Sequence, residues 1–296
     1  YNFKIDGYCI PTNINSWLGD WWSDIWLDFK FKKRSIPFGY FNISGIWDIK
    51  ASNKTFGAIH GENFLYKGLP ITKSLLNVSV DRNKTRISSS NSLHKFGRLS
   101  GYLSIPRNDF KRSTPMTYSM SGVYPLNDGK MALGKVVEEY LNDFNLSTIN
   151  IDAKGQFPIS DSDNNKSLQI SKEYSANFSS SEKGSWNGIK FDEIKGNIIS
   201  DDAHFILKIP VIKMGDGSIS INLLSKFIEE MISLNVEVKN VKILDLYNSV
   251  IEYQTRNEGE IFPDLNESTP TDTGLISLSL NTSGNSSDPM SFKGTG

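Results

Sequence analysis

The sequence predicts a mainly β protein made of many short antiparallel strands. Three observations carry this reading. Apolar residues recur at every second position in several stretches, the spacing of a strand with one buried face. Polar turn signals separate those stretches: Asn127-Asp128-Gly129, the Asp-Ser-Asp-Asn-Asn run at 161–165, Glu182-Lys183-Gly184 and Gly215-Asp216-Gly217. Helical periodicity is confined to a few segments.

The first element is the tryptophan-rich stretch 15–34, "NSWLGDWWSDIWLDFKFKKR". Trp17, Trp21 and Ile25 share one helical face, with Leu18, Trp22 and Trp26 beside it. From Leu27 on, Leu27, Phe29 and Phe31 alternate, so a short helix hands over to a strand. Trp17, Trp21, Trp22 and Trp26 suit either a membrane surface or the end of a sheet. Asp20 and Asp24, one turn apart, would be repelled by anionic lipid and favour the sheet. The basic cluster Lys30, Lys32, Lys33 and Arg34 suits a strand edge protected against pairing.

In 41–50, Phe41, Ile43, Trp47 and Ile49 are expected on one face, with Gly45 between them. Residues 131–144 and 222–234 fit helical faces, the second behind Asn222 as a cap. In 168–178, Leu168, Ile170, Tyr174, Ala176 and Phe178 alternate, with a break at Lys172. In 203–212, alternation puts Phe205, Leu207, Ile209 and Val211 on one face, Ile206 and Ile212 on the other. Residues 241–254 fit either template. The stretch 257–273 has too few apolar residues to pack and reads as an exposed loop. Near the end, Ile276, Leu278 and Leu280 alternate with serines. A glycine recurs among alternating apolar residues in "ISGIWDIK", "LSGYLSI", "MSGVYPL" and "EIKGNIIS", without a fixed period.

Composition narrows the function classes. The 296 residues carry a net charge of −1, with no basic field to neutralise a row of phosphates, so nucleic acid is not an expected partner. The single cysteine, Cys9, excludes an internal disulfide framework. No apolar run approaches the ~20 residues of a membrane span.

Motifs for chemistry are equally sparse. His60, in "HGE", lacks the cysteine pair of a zinc deaminase site. The 161–166 loop, "DSDNNK", starts like a calcium loop but has Lys166 where glycine is needed and Lys172 where a bidentate glutamate is needed. Glu138-Glu139 and Glu229-Glu230 fall on the expected helices, where adjacent residues point apart. No catalytic set, metal site or cofactor is expected, and no enzyme.

Three passages together resemble the carboxy-terminal region of AsmA-like proteins of the diderm bacterial envelope. The first is "FNISGIWDIKASNKTFGAIHGENFLYKGLPI", residues 41–71, with its approach "WSDIWLDF". The second is "FDEIKGNIISDDAHFILKIPVIKMGDGSISINLL", residues 191–224, and the third is the closing "PMSFKGTG". The resemblance implies a long curved antiparallel sheet forming an open groove, apolar inside and polar outside, that shields or conducts phospholipids between membranes. It implies a periplasmic location, with tethering to the inner membrane by an anchor outside residues 1–296. On that reading the chain is one repetitive segment of a longer protein, with 1–125 and 126–296 as candidate sub-repeats. The candidate lining residues are Phe41, Ile43, Trp47, Ile49, Phe205, Leu207, Ile209 and Val211, and the partners are phospholipid acyl chains. Two other classes stay open from the residues alone. One is a closed β-sandwich binding glycan or protein through aromatics such as Tyr66, Trp186 or Tyr253; the other is a structural stalk.

Overall fold

A computed structural model describes residues 1–17, 23, 26–32, 35–107, 114–129, 144–157, 172–186, 189–245 and 274–296. The chain is mainly β and antiparallel, and among the described residues the strands of its large sheet follow one path with no pairing between its two ends. It divides into two compact units, residues 1–135 with 150–174, and 136–149 with 175–296.

In the first unit, β1 (Asn2–Tyr8), β3 (Phe38–Ile46), β4 (Ile49–Tyr66), β5 (Leu69–Val80), β6 (Lys84–His94), β7 (Gly97–Pro106), β8 (Met116–Pro125) and β10 (Thr148–Phe157) are neighbours in that order. The short β2 (Phe29–Phe31) pairs with the far end of β4, Phe29 opposite Tyr66 and Phe31 opposite Phe64. Tight turns join the strands. Lys67 and Gly68 both adopt positive φ between β4 and β5, the geometry that matches strand twist in a two-residue hairpin.

In the second unit, β11 (Glu173–Ser180), β14 (Glu193–Ser200), β15 (His204–Met214), β16 (Gly217–Lys226), β17 (Met231–Lys242), β18 (Leu275–Asn285) and β19 (Lys293–Thr295) follow in order. A separate small sheet joins β9 (Phe144–Asn145), β12 (Gly184–Trp186) and β13 (Ile189–Phe191).

The two units repeat one plan. Adding 120 to the boundaries of β6 and β7 gives those of β15 and β16. The same shift carries the turn before β6 onto the turn before β15. Asp81 Oδ1 accepts from the Asn83 and Lys84 N–H groups at 2.7 and 2.9 Å. Asp201 Oδ1 accepts from the Ala203 and His204 N–H groups at 2.8 and 2.7 Å. It also carries the bulge between Ser89 and Ser92 onto the one between Ile209 and Ile212. Across 81–106 and 201–226 the shared residues are Asp81/Asp201, Gly97/Gly217, Ser100/Ser220 and Leu103/Leu223. The glycine recurrence seen in the sequence lacks this period, because the repeat is held by turns and bulges rather than by glycines.

The helix expected at 222–234 is absent. Those residues end β16, turn through Phe227–Glu230 and begin β17, with Asn222 opposite Asn235 and Leu223 opposite Leu234. Both spacings fit this segment locally, and ladder bonds to the strands on either side decide for period 2. The expected helix at 131–144 lies outside the described residues except for Phe144, in β9. The 257–273 loop and the 161–166 turn lie outside them entirely, as do Leu168 and Ile170; of 241–254, only 241–245 is described.

Candidate functional site: one apolar face in each unit

Alternation along each strand and direct pairing between strands generate the site. In the first unit, Ile5, Phe41, Gly57, Val78, Ile87, Leu103 and Tyr118 stand opposite one another on seven neighbouring strands. The next row on that face is Phe3, Ile43, Thr55, Val80, Thr85 and Ile105. Gly57 is required here, because a Cβ would stand 2.2 Å from the Phe41 ring that lies across it. The opposite face is mostly polar: Lys4, Asn42, Phe56, Ser79, Arg86, Ser104 and Thr117 form one row. There the Arg86 guanidinium lies 4.2 Å from the centre of the Tyr102 ring.

Part of this apolar face is covered by the chain itself. Trp26, 1% exposed, packs with Ile59, Val78 and Val80, joined by Phe29, Phe31, Phe41 and Leu76. Toward β1 the face is open: Phe3, Ile5 and Trp47 are exposed, and Trp47 rests on Tyr1 with ring centres 4.8 Å apart. Toward β8, Tyr118 stacks on Phe157, and burial raises its hydroxyl above the ordinary range.

In the second unit the equivalent face is more apolar. Ile194, Ile212, Ile219, Val238 and Leu278 form one row, followed by Ile209, Ile221, Val236 and Leu280. Ile198, Leu207, Leu223 and Leu234 form the third. Burial decreases along it, from Ile194, Ile209 and Ile212, all enclosed, to Leu278 and Leu280, which are exposed.

The structure places the sequence-derived lining residues unevenly. Phe41 and Ile43 share the apolar face of the first unit, and Phe205, Leu207 and Ile209 that of the second. Val211 does not join them. The bulge between Ile209 and Ile212 inserts an extra residue, so Ile212 takes the apolar face and Val211 stands opposite Lys195 on the other. Pro210 is tolerated in this bulge because it has no N–H to give to a ladder; the first unit makes the equivalent bulge with Ser90 in its place. Trp47 and Ile49 do not extend β3 either. Trp47 and Asp48 form the turn, Asp48 at φ 67°, and Ile49 opens β4 opposite Ile46.

Trp17 ends a 3-10 helix (Pro11–Trp17), and its side chain lies outside the described residues, as do Trp21 and Trp22. Of the aromatics considered for a sandwich, Trp186 stacks on Phe144 at 5.4 Å, Tyr66 is half-buried against Phe29, and Tyr253 lies outside the described residues.

Sequence reasoning passed over Phe3 and Ile5, the inner positions of β5 to β8, and most of β16 and β17. The alternation was present in "NVSV", "SISIN" and "ISLNVEV". Among the described residues, no three His, Cys, Asp or Glu side chains converge in a metal-binding group, and no helix is long and apolar enough to cross a membrane. His94 is buried in the first unit, its Nε2–H donating to the Val123 carbonyl at 2.8 Å while Nδ1 accepts from the Phe96 N–H at 3.2 Å.

Comparison with protein-family models, with curated proteins and with solved structures gave no match to this chain.

Proposed function

We propose that this chain is a lipid-shielding segment of an AsmA-like envelope protein, whose sheet offers its apolar face to phospholipid acyl chains. The observation that supports this most is the row structure. In each unit the apolar positions line up strand after strand on one face of an open sheet, and side chains such as Phe3, Ile5 and Leu280 remain exposed there. Apolar side chains scattered singly over a surface would need no explanation; rows of them that run from an enclosed part to an exposed edge do.

The energetics suit a conduit. Strands rise about 3.3 Å per residue, so six or seven residues span the length of an acyl chain. Each methylene withdrawn from water contributes about 0.8 kcal/mol. A sheet face shields a chain from one side only, which moderates the gain and permits movement along the rows. Few polar groups interrupt the face, so recognition falls on the tails rather than on one headgroup. The resemblance adds the periplasm as the compartment and an inner-membrane tether outside this segment.

The test is native mass spectrometry with lipid extraction on protein purified from a diderm host without detergent. Mixed phospholipid bound to folded protein is the expected result. A folded protein that carries none, and takes none up from vesicles, contradicts the proposal.

A further inference from the structure

The polar face of the second unit carries a feature that the repeat plan does not demand. Asn197, Lys208, Asn222, Asn235, Asn281 and Thr295 stand opposite one another on six neighbouring strands, β14 to β19. The Asn235 side-chain amide donates to Asn281 Oδ1. The next row on this face is Ile199, Ile206, Leu224, Ser233, Ser283 and Lys293. Five members of each row line a shallow open depression of about 770 Å³, whose described lining includes two lysines and no acid.

The first unit supplies an internal control. Shifting Asn197, Lys208 and Asn222 back by 120 gives Asn77, Ser88 and Tyr102, with Ser119 next in line. An ordinary polar row satisfies the fold there. The ladder of three amides, with Lys208 beside it in the row and Lys293 in the next row on β19, belongs to the second unit alone.

The chemistry selects a ligand class. Neighbouring strands lie about 4.8 Å apart, so Asn222, Asn235 and Asn281 present donors and acceptors at regular intervals along the row. Repeated hydroxyls need both. Ile206 and Leu224 offer an apolar floor for ring C–H groups, and the Lys208 and Lys293 ammoniums supply charge for carboxylates. An acidic peptide would instead use its backbone at a sheet edge rather than lie across the strands. We propose that this depression binds an anionic saccharide, its chain along the asparagine row and its carboxylates at Lys208 and Lys293. The proposal concerns the polar face and does not rest on the lipid reading.

The test titrates the full chain with a galacturonic acid oligomer, followed by calorimetry and amide chemical shifts. The methyl-esterified oligomer, oligoglutamate of equal length and inorganic phosphate are the comparison probes. The acidic oligomer is expected to bind and shift amides in 206–208, 222–224, 233–235 and 281–283. The Lys208→Ala/Lys293→Ala variant is expected to bind it about tenfold more weakly. Both lysines are exposed, so the variant is expected to keep its fold, checked by circular dichroism. No binding, equal binding of oligoglutamate or phosphate, or an unchanged affinity in the folded double variant overturns the proposal.

Discussion

The hydroxyls of Ser74 and Ser92 lie 2.7 Å apart on directly paired residues, at the position where the second unit sets Ile194 opposite Ile212. Ser89 completes the set, 2.9 Å from Ser92 and 3.3 Å from Ser74, and its counterpart is Ile209. One plan thus brings together three hydroxyls that satisfy one another in one unit, Ser74 buried among them, and three enclosed aliphatic side chains in the other. Both solutions leave no orphaned polar group, which is the condition that burial imposes.

Ser74 is 1% exposed, and removing its hydroxyl takes one hydrogen bond from each of its half-buried partners, Ser89 and Ser92. Ser74→Ala is expected to cost about 1 kcal/mol, read from the midpoint of urea unfolding. An unchanged midpoint would show that the cluster contributes nothing.

The Pro210 bulge gives a paired prediction. Ile212→Ala removes an enclosed side chain and is expected to cost about 2–4 kcal/mol, whereas Val211→Ala on the opposite face is expected to cost less than about 1 kcal/mol. Equal losses, or the reverse order, would mean that alternation runs unbroken through Pro210.

These two positions also show what the sequence could reveal. Period 2 located Phe205, Leu207 and Ile209 together because nothing interrupts the ladder between them. It failed one residue later, where the bulge at Pro210 shifts the register, a feature shared with the first unit that depends on the partner strand. Trp47 and Ile49 do not continue β3 for a related reason: Asp48 takes a left-handed conformation and turns the chain, yet asparagine or glycine is the usual signal for that. Residues 222–234 fit both periodicities, and only pairing partners decide. The sub-repeats 1–125 and 126–296 are expected from the resemblance alone; the 120-residue offset is not legible in the residues, because it constrains turns and bulges while leaving the inner face free to be serine or isoleucine.

Acid should weaken the second unit through two carboxylates. The Gly215 N–H donates to Asp192 Oδ2 at 2.8 Å, and this bond, aided by Lys183 and Lys213, lowers the Asp192 pKa. The Ala203 and His204 N–H groups lower that of Asp201. A carboxyl with a lower pKa when folded stabilises the fold fully above its unfolded value of about 4, and that share is lost as pH falls through the folded value. The Asp192→Ala/Asp201→Ala variant is therefore expected to lose less of its Tm than the parent between neutral pH and pH ~2. Parallel Tm profiles would contradict this.

Trp26 is the side chain that closes the first unit's apolar face over Ile59, Val78 and Val80. Trp26→Ala is expected to cost about 3–5 kcal/mol, and to raise binding of a hydrophobic dye to the protein while it remains folded. Dye binding at the parental level in a folded variant would mean that other residues cover this surface.

Tyr124 offers a test of a single buried bond. Its hydroxyl donates to the Gly129 carbonyl, and burial raises its pKa far above the ordinary tyrosine value. Tyr124→Phe is expected to lower stability by about 1 kcal/mol in urea unfolding; no change would rule the bond out as a contributor.

Whether lipid tails meet the apolar face is best decided by site-specific photocrosslinking in diderm cells. Photoreactive residues at Leu103 and Leu223 lie on the apolar faces, and those at Ser104 and Ser220 lie on the polar ones. Phospholipid adducts at Leu103 and Leu223, with none at Ser104 and Ser220, are the expected result. Adducts equal on both faces, or absent from all four positions in folded protein, would contradict a lipid-shielding sheet.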